Sequence, residues 1–131
     1  MPLGDEKYVL LTTYRRDGRP VATAVWVVPL AAGRIGIETS SGSGKAKRLA
    51  HTPSVTVQPC NARGHVKAGT EPIAATAVLV TGPDLVEIRQ KIHDKYGFIT
   101  KITKLGNAIA GTIRRKRIPY GDRGVIVTPA E

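Results

Sequence analysis

The chain has 131 residues, and its 20 lysines and arginines against 10 aspartates and glutamates give a formal net charge of +10. This length fits one domain, residues 1–131, and a hydrophobic fraction of 41% is enough for a packed core. The lone cysteine, Cys60, excludes an internal disulfide, and without a long apolar run or a signal peptide we expect a cytoplasmic protein.

Short turns in the first 40 residues separate runs that are rich in β-branched and alternating apolar residues. Asp17-Gly18 is a hairpin signal, and Pro20 suits the first position of a strand. The predicted strands cover residues 8–14, 21–28 and 34–39. Because the turns between them are short, these strands are expected to form an antiparallel meander.

The middle of the chain combines a small-residue loop, a helix and two more strands. After the Ser/Gly loop at residues 40–44, residues 45–51 predict a helix of about two turns that ends before Pro53. Two β-rich runs predict strands at residues 54–58 and 73–80. We expect the first of these strands to be broken by the segment that begins at Pro59.

The apolar period changes after residue 83. Leu85, Ile88, Ile92 and Tyr96 recur every three or four residues and predict an amphipathic helix over residues 84–96. The same spacing predicts a second helix over residues 98–109, and residues 125–127 predict a closing strand. These elements predict an α+β fold whose antiparallel sheet closes into a small barrel.

The loop that precedes Lys45 is the strongest candidate for a binding site. A P-loop would need glycine at position 39 and a hydroxyl residue at position 46, but the chain has Thr39 and Ala46, which argues against a nucleotide triphosphatase. The hydroxyls of Thr39, Ser40 and Ser43, the start of a helix and Lys45 nevertheless suit a phosphate group. The alternative is a solvated loop before a basic surface helix.

The other candidate residues argue against metal or acid–base chemistry. His51, His65 and His93 are widely spaced and have no partners at metal-ligand spacing, so no metal site is predicted. The few carboxylates form no evident catalytic pair, and Cys60 fits a buried thiol better than a nucleophile. Trp26 is either a core residue or an aromatic wall for a planar ligand. Any enzymatic activity is therefore expected to depend on a bound cofactor.

The excess of positive charge indicates a polyanionic partner, which could be nucleic acid, an anionic membrane or a small ligand rich in phosphates and carboxylates. Residues 95–121 contain seven basic residues and no acidic one. Aromatic residues make up only 5% of the chain, which leaves few stacking platforms for nucleic acid. The apolar stripe of residues 98–109 could lie on a membrane surface, but packing on the sheet is favoured.

Several motifs follow one another in an order that covers nearly the whole chain. They are Asp17-Gly-Arg-Pro20, Thr23-Ala-Val-Trp26, Thr39, Ser43-Gly-Lys-Ala-Lys-Arg-Leu49, Pro53, Pro59-Cys-Asn-Ala-Arg-Gly64, Lys95-Tyr-Gly-Phe98 and Leu105-Gly106. This order resembles the split β-barrel enzymes of the pyridoxamine-phosphate-oxidase-like superfamily. Within it, the chain is most similar to small actinobacterial reductases that use coenzyme F420, a deazaflavin with a lactyl-phosphate and polyglutamate tail.

The resemblance implies a split β-barrel homodimer with the cofactor in a groove between the subunits. It also implies hydride transfer between C5 of the deazaflavin and a small organic acceptor. The implied cofactor contacts are Ala24, Val25 and Trp26 along the ring, Thr39, Ser43 and Lys45 at the phosphate, Lys47 and Arg48 at the tail, and Asn61 and Arg63 from the second subunit.

Two positions depart from the pattern of the flavin-binding oxidases in the superfamily. Those enzymes usually have arginine where this chain has Thr23, and arginine directly before the lysine, where it has Gly44. The departures make bound FMN the less favoured cofactor, whereas the cations from Lys45 to Arg48 suit a longer, multiply anionic tail. An FMN-dependent oxidase or reductase is the alternative enzyme, and a nucleic-acid-binding barrel is the alternative from another class, although no nucleic-acid partner is expected.

Overall fold

The computed structural model of the protein describes residues 3–97 and 122–130. Two α-helices are present in this part of the chain, α1 (Gly44–His51) and α2 (residues 83–97), together with 3₁₀ turns at Leu3–Asp5 and Ala31–Gly33. The strands are β1 (Tyr8–Tyr14), β2 (Pro20–Trp26), β3 (Val28–Pro29), β4 (Ile35–Thr39), β5 (Ser54–Cys60), β6 (Ile73–Val80) and β7 (Arg123–Pro129). The helix predicted at residues 98–109 and most of the basic segment lie outside the described residues.

All seven strands form one antiparallel sheet in the order β2-β1-β5-β6-β7-β4-β3. β2 and β3 lie at opposite edges of this sheet, yet Val27 is the only residue between them in the chain. The sheet therefore has to curl until its two edges meet at Val27. This curled sheet with its helices confirms the predicted α+β split barrel, and we call the junction of the edges the Val27 seam.

The core is divided between the interior of the barrel and the contact with α2. Alternate residues of β1, beginning with Val9 and Leu11, point into the barrel and are fully buried. A second cluster joins the outer face of the sheet to Ile88, Ile92 and Tyr96 of α2. The approach is close at Gly36, where a Cβ atom would lie 2.9 Å from Cγ1 of Ile88. α2 is thus seated on the barrel at positions where the sheet has no side chain.

The predicted strands agree with the observed ones except at two positions. The strand expected over residues 21–28 is divided at Val27, which gives seven strands in the described residues instead of the six ranges predicted from the sequence. The expected break at Pro59 is wrong, because β5 continues to Cys60 and Pro59 pairs with Val9 of β1. The Pro59 carbonyl accepts a hydrogen bond from the Lys67 N–H at 2.9 Å, on the side away from β1. Proline is therefore tolerated, since it removes no hydrogen bond from the β1–β5 ladder.

The hydroxyl of Tyr96 fastens α2 to the Val27 seam. It accepts a hydrogen bond from the Val27 N–H at 3.0 Å and donates to the carbonyl of Lys7 at 2.7 Å. The Tyr96 ring is stacked on Trp26, with centroids 4.4 Å apart and planes 5° from parallel. Burial raises the pKa of Tyr96 to about 12, because the neutral phenol is favoured in this environment.

The neighbouring Lys95 binds the carbonyl group of Val27 at the seam. Its Nζ donates to the carbonyls of Val27 at 2.7 Å, Gly4 at 2.7 Å and Glu6 at 2.6 Å. Burial lowers the pKa of this lysine, although the charges of Asp5 and Glu6 oppose the change. Both main-chain groups of Val27 are thus bound by side chains at the end of α2. Neither described helix is long and apolar enough to cross a membrane.

Candidate functional site

The loop between β4 and α1 brings two of the predicted hydroxyl residues together. Ser43 is the N-cap of α1, and its Oγ accepts a hydrogen bond from the Ala46 N–H at 3.0 Å. Thr39, at the end of β4, is buried and places its Oγ1 3.1 Å from Oγ of Ser43. The first N–H groups of a helix have no acceptor within the helix. These N–H groups, the two hydroxyls and the nearby Lys45 form a polar site at the start of α1, which we call the Lys45 cradle.

Ser40 and its neighbour Ser41 shape this loop. Oγ of Ser40 accepts from the Gly42 N–H at 3.3 Å, so this hydroxyl is used within the loop. The carboxylate of Asp122 accepts hydrogen bonds from the N–H and the Oγ of Ser41, and these bonds hold the pKa of Asp122 below its usual value. Ser41 was not among the predicted site residues. Asp122, directly before β7, therefore holds the loop through Ser41, a contact between residues 81 positions apart that local sequence could not reveal.

Lys45 is the second residue after the cap and is half-buried. Burial and the nearby charge of Arg48 lower its pKa. Within residues 3–97 and 122–130, no carboxylate lies within ion-pair distance of its Nζ. A half-buried ammonium group that lacks a counter-ion beside helix N–H groups is suited to an anion, and phosphate has the matching acceptor oxygens.

A second group of cations surrounds a shallow depression of about 450 Å³ between the β1–β2 turn and α1, which we call the hairpin depression. Its lining residues are Arg15, Arg16, Asp17 and Arg19 of the turn and Gly44, Lys47, Arg48 and His51 of α1. The α1 residues share one face, because they lie three, four and seven positions after Gly44. Lys45 lies outside this face, so the predicted group of Lys45, Lys47 and Arg48 is divided between two neighbouring sites.

Arg48 of the hairpin depression is held by a hydrogen bond to β1. Its Nε donates to Oγ1 of the buried Thr13 at 2.6 Å. Its guanidinium lies over Gly44, where a Cβ atom would be 2.7 Å from Nη1. Partial desolvation and the charge of Arg15 both lower the pKa of Arg48. The carboxylate of Asp17 pairs with Arg19 at 2.8 Å, so it is not paired with Arg15 or Arg16.

The arginines of the β1–β2 turn were missed as candidate site residues by the sequence reasoning. The signal was present, because three of the five residues from Arg15 to Arg19 are arginines. What the sequence did not show is the position of α1 beside the turn. The Arg48–Thr13 hydrogen bond joins residues 35 positions apart and fixes that position.

The predicted ring-lining segment, Ala24 to Trp26, belongs to β2 at the edge of the sheet. Among the described strands β2 pairs only with β1, so the outer edge of β2 carries main-chain groups that are not used in the ladder. Val25 packs against the barrel core, whereas Trp26 packs in the cluster with α2. One face of the Trp26 ring is covered by Tyr96. The main chain of this segment is therefore more available to a ligand than its apolar side chains.

Asn61 and Arg63 lie in an exposed turn that is remote from Lys45 within one chain. Oδ1 of Asn61 accepts from the N–H groups of Arg63 at 2.9 Å and His65 at 3.0 Å, and these hydrogen bonds shape the turn. The preceding residue, Cys60, pairs with Tyr8, whereas the hairpin depression is at the other end of β1. A seven-residue strand spans about 20 Å, so Asn61 and Arg63 do not join the Lys45 cradle of their own chain.

Metal and thiol chemistry receive no structural support in the described part of the chain. There, no three His, Cys, Asp or Glu side chains lie close enough to hold a metal ion. Cys60 is half-buried, and burial raises the pKa of its thiol, which disfavours the nucleophilic thiolate.

The comparisons with known proteins agree with the observed fold. The sequence model of the family described as pyridoxamine 5′-phosphate oxidase matches residues 3–115. A solved structure of an F420 reductase has a TM-score of 0.62 and 17% identity, covering 99% of this chain and 91% of that chain. The conserved hypothetical protein Rv2991 from Mycobacterium tuberculosis has a TM-score of 0.64 and 18% identity, with coverages of 99% and 76%.

A third similar structure is HutZ, a heme storage protein from Vibrio cholerae, with a TM-score of 0.59 and 18% identity. The match covers 97% of this chain and 84% of HutZ. The comparison with curated proteins finds no match. At these identities the structural likeness shows the fold alone, since the similar proteins differ in what they bind.

Proposed function

We propose that this chain, which belongs to the pyridoxamine 5′-phosphate oxidase family, transfers a hydride between coenzyme F420 and a small organic acceptor. The observation that carries the proposal is the Lys45 cradle, in which a half-buried lysine without a counter-ion in the described residues lies beside the capped start of α1. The cradle suits the phosphate of the cofactor, and the adjacent hairpin depression suits further negative charge.

The residue at position 44 favours a deazaflavin with an acidic tail over FMN. A side chain at Gly44 would meet the guanidinium of Arg48, since even a Cβ atom would lie 2.7 Å from Nη1. An arginine here, as expected in FMN-binding relatives, would therefore require the end of the Arg48 side chain to shift. With glycine at this position, the Arg48 guanidinium lies over Gly44 and lines the hairpin depression, where it supports binding of a multiply anionic ligand.

When bound, coenzyme F420 supplies a two-electron hydride carrier at C5 of its deazaflavin ring. The task of Lys45, Ser43 and the first N–H groups of α1 is to hold the phosphate and so fix the position of the ring. The outer main-chain edge of residues 24–26 offers N–H groups that stabilise negative charge on a ligand. We assign the proton to solvent, since the described part of the site contains no carboxylate or imidazole with a clear acid–base role.

We further propose that the active form is a homodimer, in which Asn61 and Arg63 of the partner subunit complete the cofactor groove. This explains why two predicted contact residues lie far from Lys45 within one chain. It also gives a role to their turn, which is exposed in the single chain although its backbone is ordered by Asn61.

The proposal is tested by titrating the purified protein with oxidised coenzyme F420, FMN and a generic oligonucleotide at moderate salt. Fluorescence of Trp26, the only tryptophan, and of the cofactor reports binding. We expect saturable binding of F420 at lower concentrations than FMN, followed by acceptor-dependent oxidation of the reduced cofactor without oxygen. Tighter binding of FMN would instead favour the flavin enzyme, and binding of the oligonucleotide alone would refute both enzyme functions.

A further inference from the structure

We propose that the hairpin depression is a second anion site, separate from the Lys45 cradle, that binds the carboxylate or phosphate groups of a small, flexible polyanion. The identification of this polyanion with the acidic tail of the cofactor rests on the proposed function. The existence of the anion site does not, because it follows from the arrangement of charges in this chain.

The first observation is that two separate elements direct cations to one place. The turn between β1 and β2 contributes three arginines, and one face of α1 contributes a lysine and an arginine beside a histidine. These residues are Arg15, Arg16, Arg19, Lys47, Arg48 and His51. Surface cations that serve only solubility have no need to converge, since like charges brought together repel one another.

The second observation is that this charge is poorly compensated. Among the described residues that line the depression, Asp17 is the only carboxylate, and it accepts hydrogen bonds from the main-chain N–H and the side chain of Arg19. The repulsion is visible at Arg48, since the charge of Arg15 contributes to lowering its pKa. An anion between these groups would replace repulsion with charge-assisted hydrogen bonds.

The third observation is that part of the depression is rigidly built. Arg48 is anchored by Thr13 at 2.6 Å, which directs its guanidinium across Gly44. The turn is closed by the Arg15 N–H, which donates to the Arg19 carbonyl at 2.9 Å, and by Gly18 with a φ of 90°. The donors are therefore partly organised before a ligand arrives, which reduces the entropy lost on binding.

The size and lining of the depression favour a small polyanion over nucleic acid. A volume of about 450 Å³ accommodates a few carboxylate or phosphate groups. Among the described residues that line it there is no Phe, Tyr or Trp, so these residues offer no platform for base stacking. Arg48 lines the depression and is three positions after Lys45 in α1, so its side chain neighbours both sites. A flexible ligand held by its phosphate at Lys45 could thus extend its other charges toward the turn.

The test compares Arg15→Gln and the double variant Arg15→Gln/Arg16→Gln with the control Lys7→Gln. Lys7 is an exposed cation at the opposite end of β1, so its replacement removes the same charge away from the depression. Circular dichroism and thermal unfolding verify that each variant folds. The probes are F420 with its glutamate tail, the same deazaflavin lacking the glutamates, inorganic pyrophosphate and a single-stranded oligonucleotide.

We expect Arg15→Gln to weaken binding of tailed F420 about two- to fivefold, and the double variant by about tenfold, because each exposed ion pair contributes little alone. The tail-less deazaflavin should bind equally to the wild type and all variants, and the effect on the tailed form should shrink as salt rises. Pyrophosphate should bind to wild type and the Lys7 variant, and more weakly to the double variant.

The outcomes separate this inference from the proposed function. If F420 does not bind but pyrophosphate binding still depends on Arg15 and Arg16, the proposed function fails and the anion site is upheld. If F420 binds equally with and without its tail and neither arginine variant affects any probe, the anion site is refuted while the proposed function stands. An oligonucleotide that binds more tightly than F420 and loses affinity in the double variant would overturn the choice of a small polyanion.

Discussion

Tyr96→Phe removes one hydroxyl from the Val27 seam while the stacked ring is kept. The Val27 N–H, on a fully buried residue, loses its acceptor, and the Lys7 carbonyl loses a donor. An unsatisfied buried donor costs about 1–3 kcal/mol, and the second hydrogen bond contributes about 0.5–1.5 kcal/mol. We therefore expect the variant to lose about 1.5–4.5 kcal/mol of unfolding free energy at neutral pH.

The pKa of Tyr96 makes this stabilisation depend on pH. Burial disfavours the phenolate and raises the pKa of Tyr96 in the fold from 10.0 to about 12, so the fold favours the protonated hydroxyl. Because the folded pKa is the higher one, this stabilisation is complete below pH 10 and is lost as the pH rises from 10 to 12. The advantage of the wild type over Tyr96→Phe should therefore decrease across this pH range.

Urea unfolding at about pH 7, 10 and 12 measures the loss of unfolding free energy and its dependence on pH. Unfolding is followed by the fluorescence of Trp26, the single tryptophan, which is stacked on the Tyr96 ring. Tyr14→Phe is the control, since the Tyr14 hydroxyl makes no hydrogen bond within the described part of the chain. A loss below about 0.5 kcal/mol in Tyr96→Phe, or the same loss in Tyr14→Phe, would refute the role of the hydroxyl at the seam.

Three further predictions concern the cradle, the subunit contact and the packing of α2. Lys45→Ala should weaken F420 binding about ten- to a hundredfold in a fluorescence titration, more than any other single basic-to-alanine change, and binding like that of the wild type would show that the phosphate lies elsewhere. Sedimentation at micromolar concentration should give twice the chain mass of 14.0 kDa, and a mass of one chain would contradict the interface groove. Gly36→Ala should destabilise the fold by about 1–3 kcal/mol in urea unfolding, since its Cβ atom would lie 2.9 Å from Ile88, and an unchanged midpoint would contradict this close packing.

Local patterns in the sequence predicted most of the secondary structure. The alternation of β1 and the apolar spacing from Leu85 to Tyr96 are physical consequences of one buried face, so they are visible without the fold. The division of the strand at Val27 was not visible, because the partners of Val27 are side chains 68 and 69 positions away. Pro59 was misjudged for the same reason, since its carbonyl partner, Lys67, lies in a loop without a sequence pattern.

The candidate site was predictable to a similar extent. The cap at Ser43 and the position of Lys45 follow from helix-start chemistry, which depends on neighbours in the chain. The convergence of the β1–β2 turn with α1 depends on the Arg48–Thr13 contact, which has no local signature. The roles of Asn61 and Arg63 depend on a second subunit, so they remain predictions.

The Val27 seam has a consequence for the order in which the protein folds. The β1–β2 hairpin is a local structure, but the amide of Val27 acquires its acceptor only when Tyr96, 69 residues later, has docked. Hydrogen exchange at this amide should therefore follow the detachment of α2, whereas the amides of β1 and β5 should exchange only on global unfolding. Closure of the barrel is then a late, long-range step, and exchange at a single amide measures how often it reopens.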